Sequence, residues 1–70
     1  MRLKDFIETY EGFDWNNCEI VVIDQRIGKS YLCKLKNGRL IHPYHLAVSK
    51  ELEKSVYDWT HSEKTMVVTL

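Results

Sequence analysis

The stretch CEIVVID, residues 18–24, constrains the fold more than any other part of the chain. It is rich in β-branched residues, which favours a strand, and it is apolar at consecutive rather than alternate positions. A strand with one wet face alternates apolar and polar side chains. One that is apolar on both faces belongs in the middle of its sheet. Its IVVI centre, residues 20–23, is also the longest uninterrupted apolar run. A membrane-spanning helix needs about 20 such residues, so no membrane span is expected.

Neighbouring segments supply partners for this strand. SYLCKLK, residues 30–36, alternates, with Tyr31, Cys33 and Leu35 facing one way and Leu32, Lys34 and Lys36 the other. QRIGK, residues 25–29, is short enough for a hairpin loop, and Gly28 can adopt positive φ there. Asn37-Gly38 is the strongest short hairpin signal in the chain. RLIH, residues 39–42, is therefore expected to return as a short third strand, pairing Leu35 with Leu40 and Lys36 with Arg39. At the other end, SVYDWT and TMVVTL flank HSEK and read as a second hairpin. Pairing Thr60 with Thr65 sets Tyr57 and Trp59 opposite Val68 and Met66 on a core face that includes Leu70. Asp58, Thr60, Thr65 and Thr69 then take the opposite face.

Leu3, Phe6, Ile7 and Tyr10 fall at i, i+3, i+4 and i+7, one stripe of an amphipathic helix. Gly12 is a natural stop, and Phe13 and Trp15 are expected to plug the core edge. HPYHLAVSKELEK, residues 42–54, predicts helix for at least part of its length, with Pro43 at a first helical position. The alternative is a shorter helix over KELEK capped by Ser49. With 70 residues, three glycines and one proline, no linker divides the chain. The expectation is an α+β fold, a single domain over residues 1–70 in the order α-β-β-β-α-β-β. Its sheet is an antiparallel meander, with the N-terminal helix and a short helix before the C-terminal hairpin. A small SH3-like or Sm-like barrel is the alternative architecture.

A chain of this size buries roughly 60% of the surface its unfolded form exposes, which leaves little material for a deep cleft. RLIHPYHL, residues 39–46, brings two histidines close in sequence. A zinc site needs three or four converging ligands, and Pro43 places His42 outside the helix that would carry His45. Cys18 and Cys33 form no CxxC pair. Pairing Cys18 with residue 36 or 37 puts Cys33 about four positions away, too far for a disulfide or a shared metal. No metal and no cofactor are expected, and free thiols suit a reducing cytoplasm. Cys33 with His42 is the one pair in reach for nucleophilic catalysis, but a thiol on the core face has little reactivity. Glu51 and Glu53, two apart, read as solvated charges. RIGK and KNGR lack the glycine pattern of a phosphate loop. The protein is expected to be no enzyme.

Charge is distributed unevenly. Net charge is zero, yet residues 25–50 contain no acid and six bases: Arg26, Lys29, Lys34, Lys36, Arg39 and Lys50. Residues 1–24 carry six acids against Arg2 and Lys4. In the hairpin, Lys34, Lys36 and Arg39 share a face, while Arg26 and Lys29 lie at its other end. These five form a basic strip that can bind an acidic protein surface or a phosphate backbone. The same strip can also serve to guard a sheet edge against aggregation. A protein partner is favoured over nucleic acid, because dedicated nucleic-acid binders are basic overall and Tyr44 is the one aromatic free to stack. A homodimer through an edge strand ending at Leu70 is a further expectation.

The LKDFIE helix, the EIVVID strand and the closing TMVVTL hairpin together resemble a loose group of small proteins carried by phages and conjugative elements of Gram-positive gut bacteria. NGRLIHPYHL stands outside the shared pattern. The resemblance implies a cytoplasmic accessory protein of a mobile element that acts by binding, in the manner of inhibitors of host defence such as anti-CRISPR proteins. The acids within MRLKDFIETYEG speak against a signal peptide.

Overall fold

A computed structural model of the chain describes residues 1–37, 39–40 and 50–70. One helix, α1 (Leu3–Thr9), packs on a sheet of five strands: β1 (Asn17–Asp24), β2 (Lys29–Lys36), β3 (Arg39–Leu40), β4 (Asp58–His61) and β5 (Thr65–Thr69). The spatial order is β3-β2-β1-β5-β4, which puts CEIVVID at the centre. β1 runs antiparallel to β2 and parallel to β5. The class is α+β, but the sheet is mixed, and the expected antiparallel meander is corrected. A meander would leave β1 at the sheet's edge, where so long and apolar a strand would expose a row of unpaired backbone groups. The chain instead crosses from β3 to the far side, and its last hairpin docks against that edge. The open order, with β3 and β4 at its ends, replaces the barrel alternative as well.

The backbone accounts for this centre in detail. Glu19 N–H donates to Lys64 O at 2.9 Å and Leu70 N–H to Ile23 O at 2.8 Å, so the odd residues of β1 face β5. Asn37 N–H donates to Asn16 O at 2.8 Å, in phase with even residues that face β2. Both edges of β1 are therefore paired. Burial alternates along it, with Cys18, Ile20, Val22 and Asp24 buried and the residues between them half-buried. Cys18, Ile20 and Val22 form one core with Leu3, Phe6, Ile7 and Phe13 from the N-terminal region, Cys33 and Leu35 from β2, and Met66 and Val68 from β5.

The β1–β2 loop closes with Asp24 opposite Lys29. Arg26 N–H donates to Asp24 Oδ1 at 3.0 Å, and Gly28 takes φ 64° as expected. The resulting register pairs Cys18 with Leu35, not with residue 36 or 37. The two cysteines are thus two positions apart on the core face, nearer than the expected four, and both are free thiols. Asn37 adopts φ 55° at the next turn, and Lys36 pairs with Arg39 and Leu35 with Leu40 as expected.

The last hairpin differs by two residues from its expected register. Trp59 lies opposite Val68 and His61 opposite Met66, and Ser62 N–H donates to Thr65 O to close a tight turn at Glu63-Lys64. Trp59 keeps the core side. Tyr57 does not, because its N–H and Asp58 both address Thr69 and the irregularity turns Tyr57 outward, where it is 78% exposed. β5 is an interior strand, so the edge is β4 and not the strand that ends near Leu70.

α1 carries the expected stripe, with Leu3, Phe6 and Ile7 buried, and it ends at Tyr10 rather than at Gly12. Gly12 has a different role: a Cβ there would lie 2.5 Å from the Tyr10 hydroxyl, so the glycine makes room for that ring. The helix start is pinned by Leu3 N–H to Lys54 O at 2.9 Å and Val56 N–H to Met1 O at 2.8 Å. Between β3 and β4, the described residues form a 3-10 turn over Glu51–Glu53 in place of the KELEK helix. Of the helix expected within residues 42–54 from Pro43, the part up to residue 49 lies outside the described residues. Among the described residues, no helix is long and apolar enough to cross a membrane.

Candidate functional site

α1 covers one face of the sheet, and among the described residues no helix or strand lies on the other, the bare face. The strand registers place four cross-strand rows on it. Leu32, Val21, Val67 and Thr60 form the central row. On one side lies Ser30, Ile23, Thr69 and Asp58. On the other lie Lys34, Glu19 and Thr65, then Lys36 with Asn17 and Arg39. Val21, Ile23 and Val67 are half-buried by their neighbours, and Leu32 is 56% exposed. The face therefore has an apolar middle, with a cationic corner at the β2–β3 end.

The five bases named from the sequence do not form one continuous strip. Lys34, Lys36 and Arg39 share the bare face and are exposed. Lys29 is paired with Asp24 on the helix side, and Arg26 sits in the loop beyond it. At about 3.3 Å per residue, Lys29 and Lys36 are about 23 Å apart along β2. Lys34 also faces Glu19 across the strands, which offsets part of its charge.

A second surface lies where α1 meets β4. Phe6 and Tyr10 stack at 5.0 Å, and Trp59 reaches both, at 5.2 Å and 5.8 Å between ring centres. His61 continues the cluster over Phe13 at 5.1 Å. Its Nδ1 lies 2.9 Å from Ser62 O, and as the donor it leaves Nε2 to accept from the Tyr10 hydroxyl at 3.4 Å. Outside these rings runs a groove of about 460 Å³ lined by Met1, Phe6, Thr9, Tyr10, Glu11, Val56 and Trp59. Met1 and Trp59, two of the large apolar side chains left exposed, are part of that lining.

The third feature is a charged cluster beneath the opposite end of the sheet. Asp24 and Glu51 are both buried, and Lys54 Nζ binds the Asp24 carboxylate and lies 3.2 Å from Glu51 Oε1. The neighbouring Glu51 carboxyl, then the hydrogen bond from Lys54, holds the Asp24 carboxyl down at about 2. Burial, reinforced by Asp24, pushes Glu51 up. Glu51 Oε2 has no hydrogen-bond partner among the described residues. The expectation that Glu51 is a solvated charge is corrected, since only Glu53 is exposed, bridged by Arg2 at 2.9 Å and Lys4 at 3.1 Å. The cluster ties the central strand to the 3-10 turn. One signal for it is present in the sequence: Asp24 continues the even phase of Cys18, Ile20 and Val22.

Burial pushes both thiols up, and more contributes at Cys18, where Asp14 adds to the effect. His42 and His45 lie outside the described residues, and so does any contact of Cys33 with His42. Among the described residues, no three His, Cys, Asp or Glu side chains converge as metal ligands would.

Among the described residues, fold and surfaces together define a small α+β domain with a mixed five-stranded sheet, one face without a covering element and one grooved edge. No protein-family model, curated protein or solved structure matches the chain.

Proposed function

We propose that this protein is a small non-enzymatic binding module that docks an acidic protein partner on the bare face of its sheet. The carrying observation is the placement of Leu32, more than half exposed, between half-buried Val21 and the cationic corner of Lys34, Lys36 and Arg39. An apolar centre with a charged rim is the usual anatomy of a protein interface. Charge complementarity at the corner steers an acidic partner into register. The resemblance to proteins of phages and conjugative elements supports a partner in host defence. The buried free thiols support a reducing, cytoplasmic setting.

Photo-crosslinking tests this reading. A photoreactive phenylalanine analogue at position 32 should give a discrete protein adduct in host cells, and the adduct should vanish with Lys36→Glu and Arg39→Glu. Persistence of the adduct in both charge-reversal variants contradicts the docking mode. Nucleic acid is the second reading, favoured by the same three exposed cations. Titration into labelled duplex DNA, single-stranded DNA and RNA separates the two. Binding that is present at about 50 mM salt and collapses by about 200 mM is a phosphate signature and would move the function to nucleic acid.

A further inference from the structure

We infer that the groove between α1 and β4 is a second binding site, one that takes an extended, cationic peptide segment as an added strand on β4. Four observations converge on that edge. β4 is the last strand of the sheet, and its outward side has no strand partner among the described residues. Ser62 N–H bonds Thr65 O, so alternation makes Thr60–Val67 the next hydrogen-bonded pair, and the amides of Trp59 and His61 point outward. Next to that edge, and on the core side to which Trp59 belongs, runs the groove floored by Phe6, Tyr10 and Val56. An added strand sends alternate side chains to this side of the sheet, so one apolar side chain of the segment enters the groove while the backbone pairs with β4.

The charge of the segment follows from the rim. Glu11 lines the groove, and exposed Asp58 stands at the start of β4. Asp58 Oδ1 accepts the outward Trp59 N–H at 2.8 Å. This carboxylate therefore guards the edge in the free protein, as charged groups guard other exposed strands. A Lys or Arg on the incoming segment draws the carboxylate off that amide, and a peptide carbonyl takes its place. Four residues of β4 offer outward groups at two positions, which suits a short segment rather than a whole strand of another sheet. This site lies on the helix side and at the opposite edge from Lys34, Lys36 and Arg39, so it stands or falls independently of the docking face.

The probe is a set of fluorescein-labelled nine-residue peptides that alternate Lys or Thr with Val, Leu or Phe, each paired with a copy N-methylated at alternate amides. Anisotropy and amide NMR shifts are read on the intact chain. We expect at least one peptide to bind with shifts centred on Trp59 and His61, and N-methylation to weaken it at least tenfold. Thr9→Trp fills the groove from an exposed position and should weaken binding by a similar factor while amide dispersion is retained. Asp58→Ala should tighten binding of N-terminally blocked, lysine-poor peptides several-fold, because the Trp59 amide is released. No binding by any peptide at millimolar concentration overturns the inference. Binding that is indifferent to both N-methylation and Thr9→Trp overturns it too.

Discussion

Two glycines show how differently one residue type can be required. Gly28 sits at φ 64° with nothing within 4 Å of the place a Cβ would occupy, so an alanine there meets only backbone strain, about 1 kcal/mol. Gly12 has ordinary φ, and its constraint is the Tyr10 ring, with Cζ 2.7 Å from the Cβ position. Gly12→Ala should cost about 1 kcal/mol by displacing that ring, and it should also shift the Trp59 indole resonances. Gly28→Ala should leave those resonances in place. Urea denaturation and one-dimensional NMR measure both effects. The buried carboxyls make a second prediction. Asp24 holds its proton more weakly when folded, so its stabilisation is complete above 3.8 and is lost as pH falls toward about 2. Glu51 runs oppositely: its folded value is raised, so its contribution is full below 4.5 and is lost as pH rises through that raised value. Asp24→Asn should flatten the acid limb of the stability profile between about pH 4 and 2. Glu51→Gln should flatten the profile above pH 4.5, and urea midpoints across pH read both.

At the scale of elements, the sequence pattern locates nearly every strand but leaves their order open. The α1 stripe, the β1–β2 hairpin, the Gly28 turn and the Asn37 turn all follow from local chemistry: periodicity, β-branching and the need for positive φ. The meander fails because adjacency in sequence does not ensure adjacency in space, and CEIVVID itself implies a partner on each edge. Only the long connection from β3 to β4 can supply that second partner, and nothing local within it encodes the crossing. The two-residue slip of the last hairpin preserves its faces, since side chains alternate with period two. For that reason Trp59 keeps its expected side even with a different residue opposite. The candidate site divides in the same way. Lys34, Lys36 and Arg39 are legible as a cluster because they flank a local turn. The groove beside Trp59 is not, because its lining comes from α1, from Val56 and from β4. Substitutions should respect these faces. Phe6→Ala should cost about 3–5 kcal/mol, enough to unfold so small a domain, whereas Leu32→Lys on the bare face should change stability by less than about 0.5 kcal/mol. Thermal denaturation followed by circular dichroism distinguishes them.

At the scale of the molecule, the one helix and the mixed sheet among the described residues leave two kinds of surface without a covering element: an apolar face with a cationic corner, and an edge with a groove and an acidic rim. The second exists only because the last hairpin docks on β1. If β1 were itself an edge, β4 would not stand beside α1, and the groove would lack its Trp59 wall. Amide hydrogen exchange at Val21 and Ile23 tests that arrangement most directly. These odd residues of β1 point toward β5, in phase with Glu19 N–H, which is bonded to Lys64 O. Their amides should be protected to the same degree as those of Ile20 and Val22, which face β2, while the outward amide of His61 exchanges far faster. Val21 and Ile23 amides that exchange as fast as His61, with Ile20 and Val22 still protected, would show β1 to be an edge strand and would contradict the account.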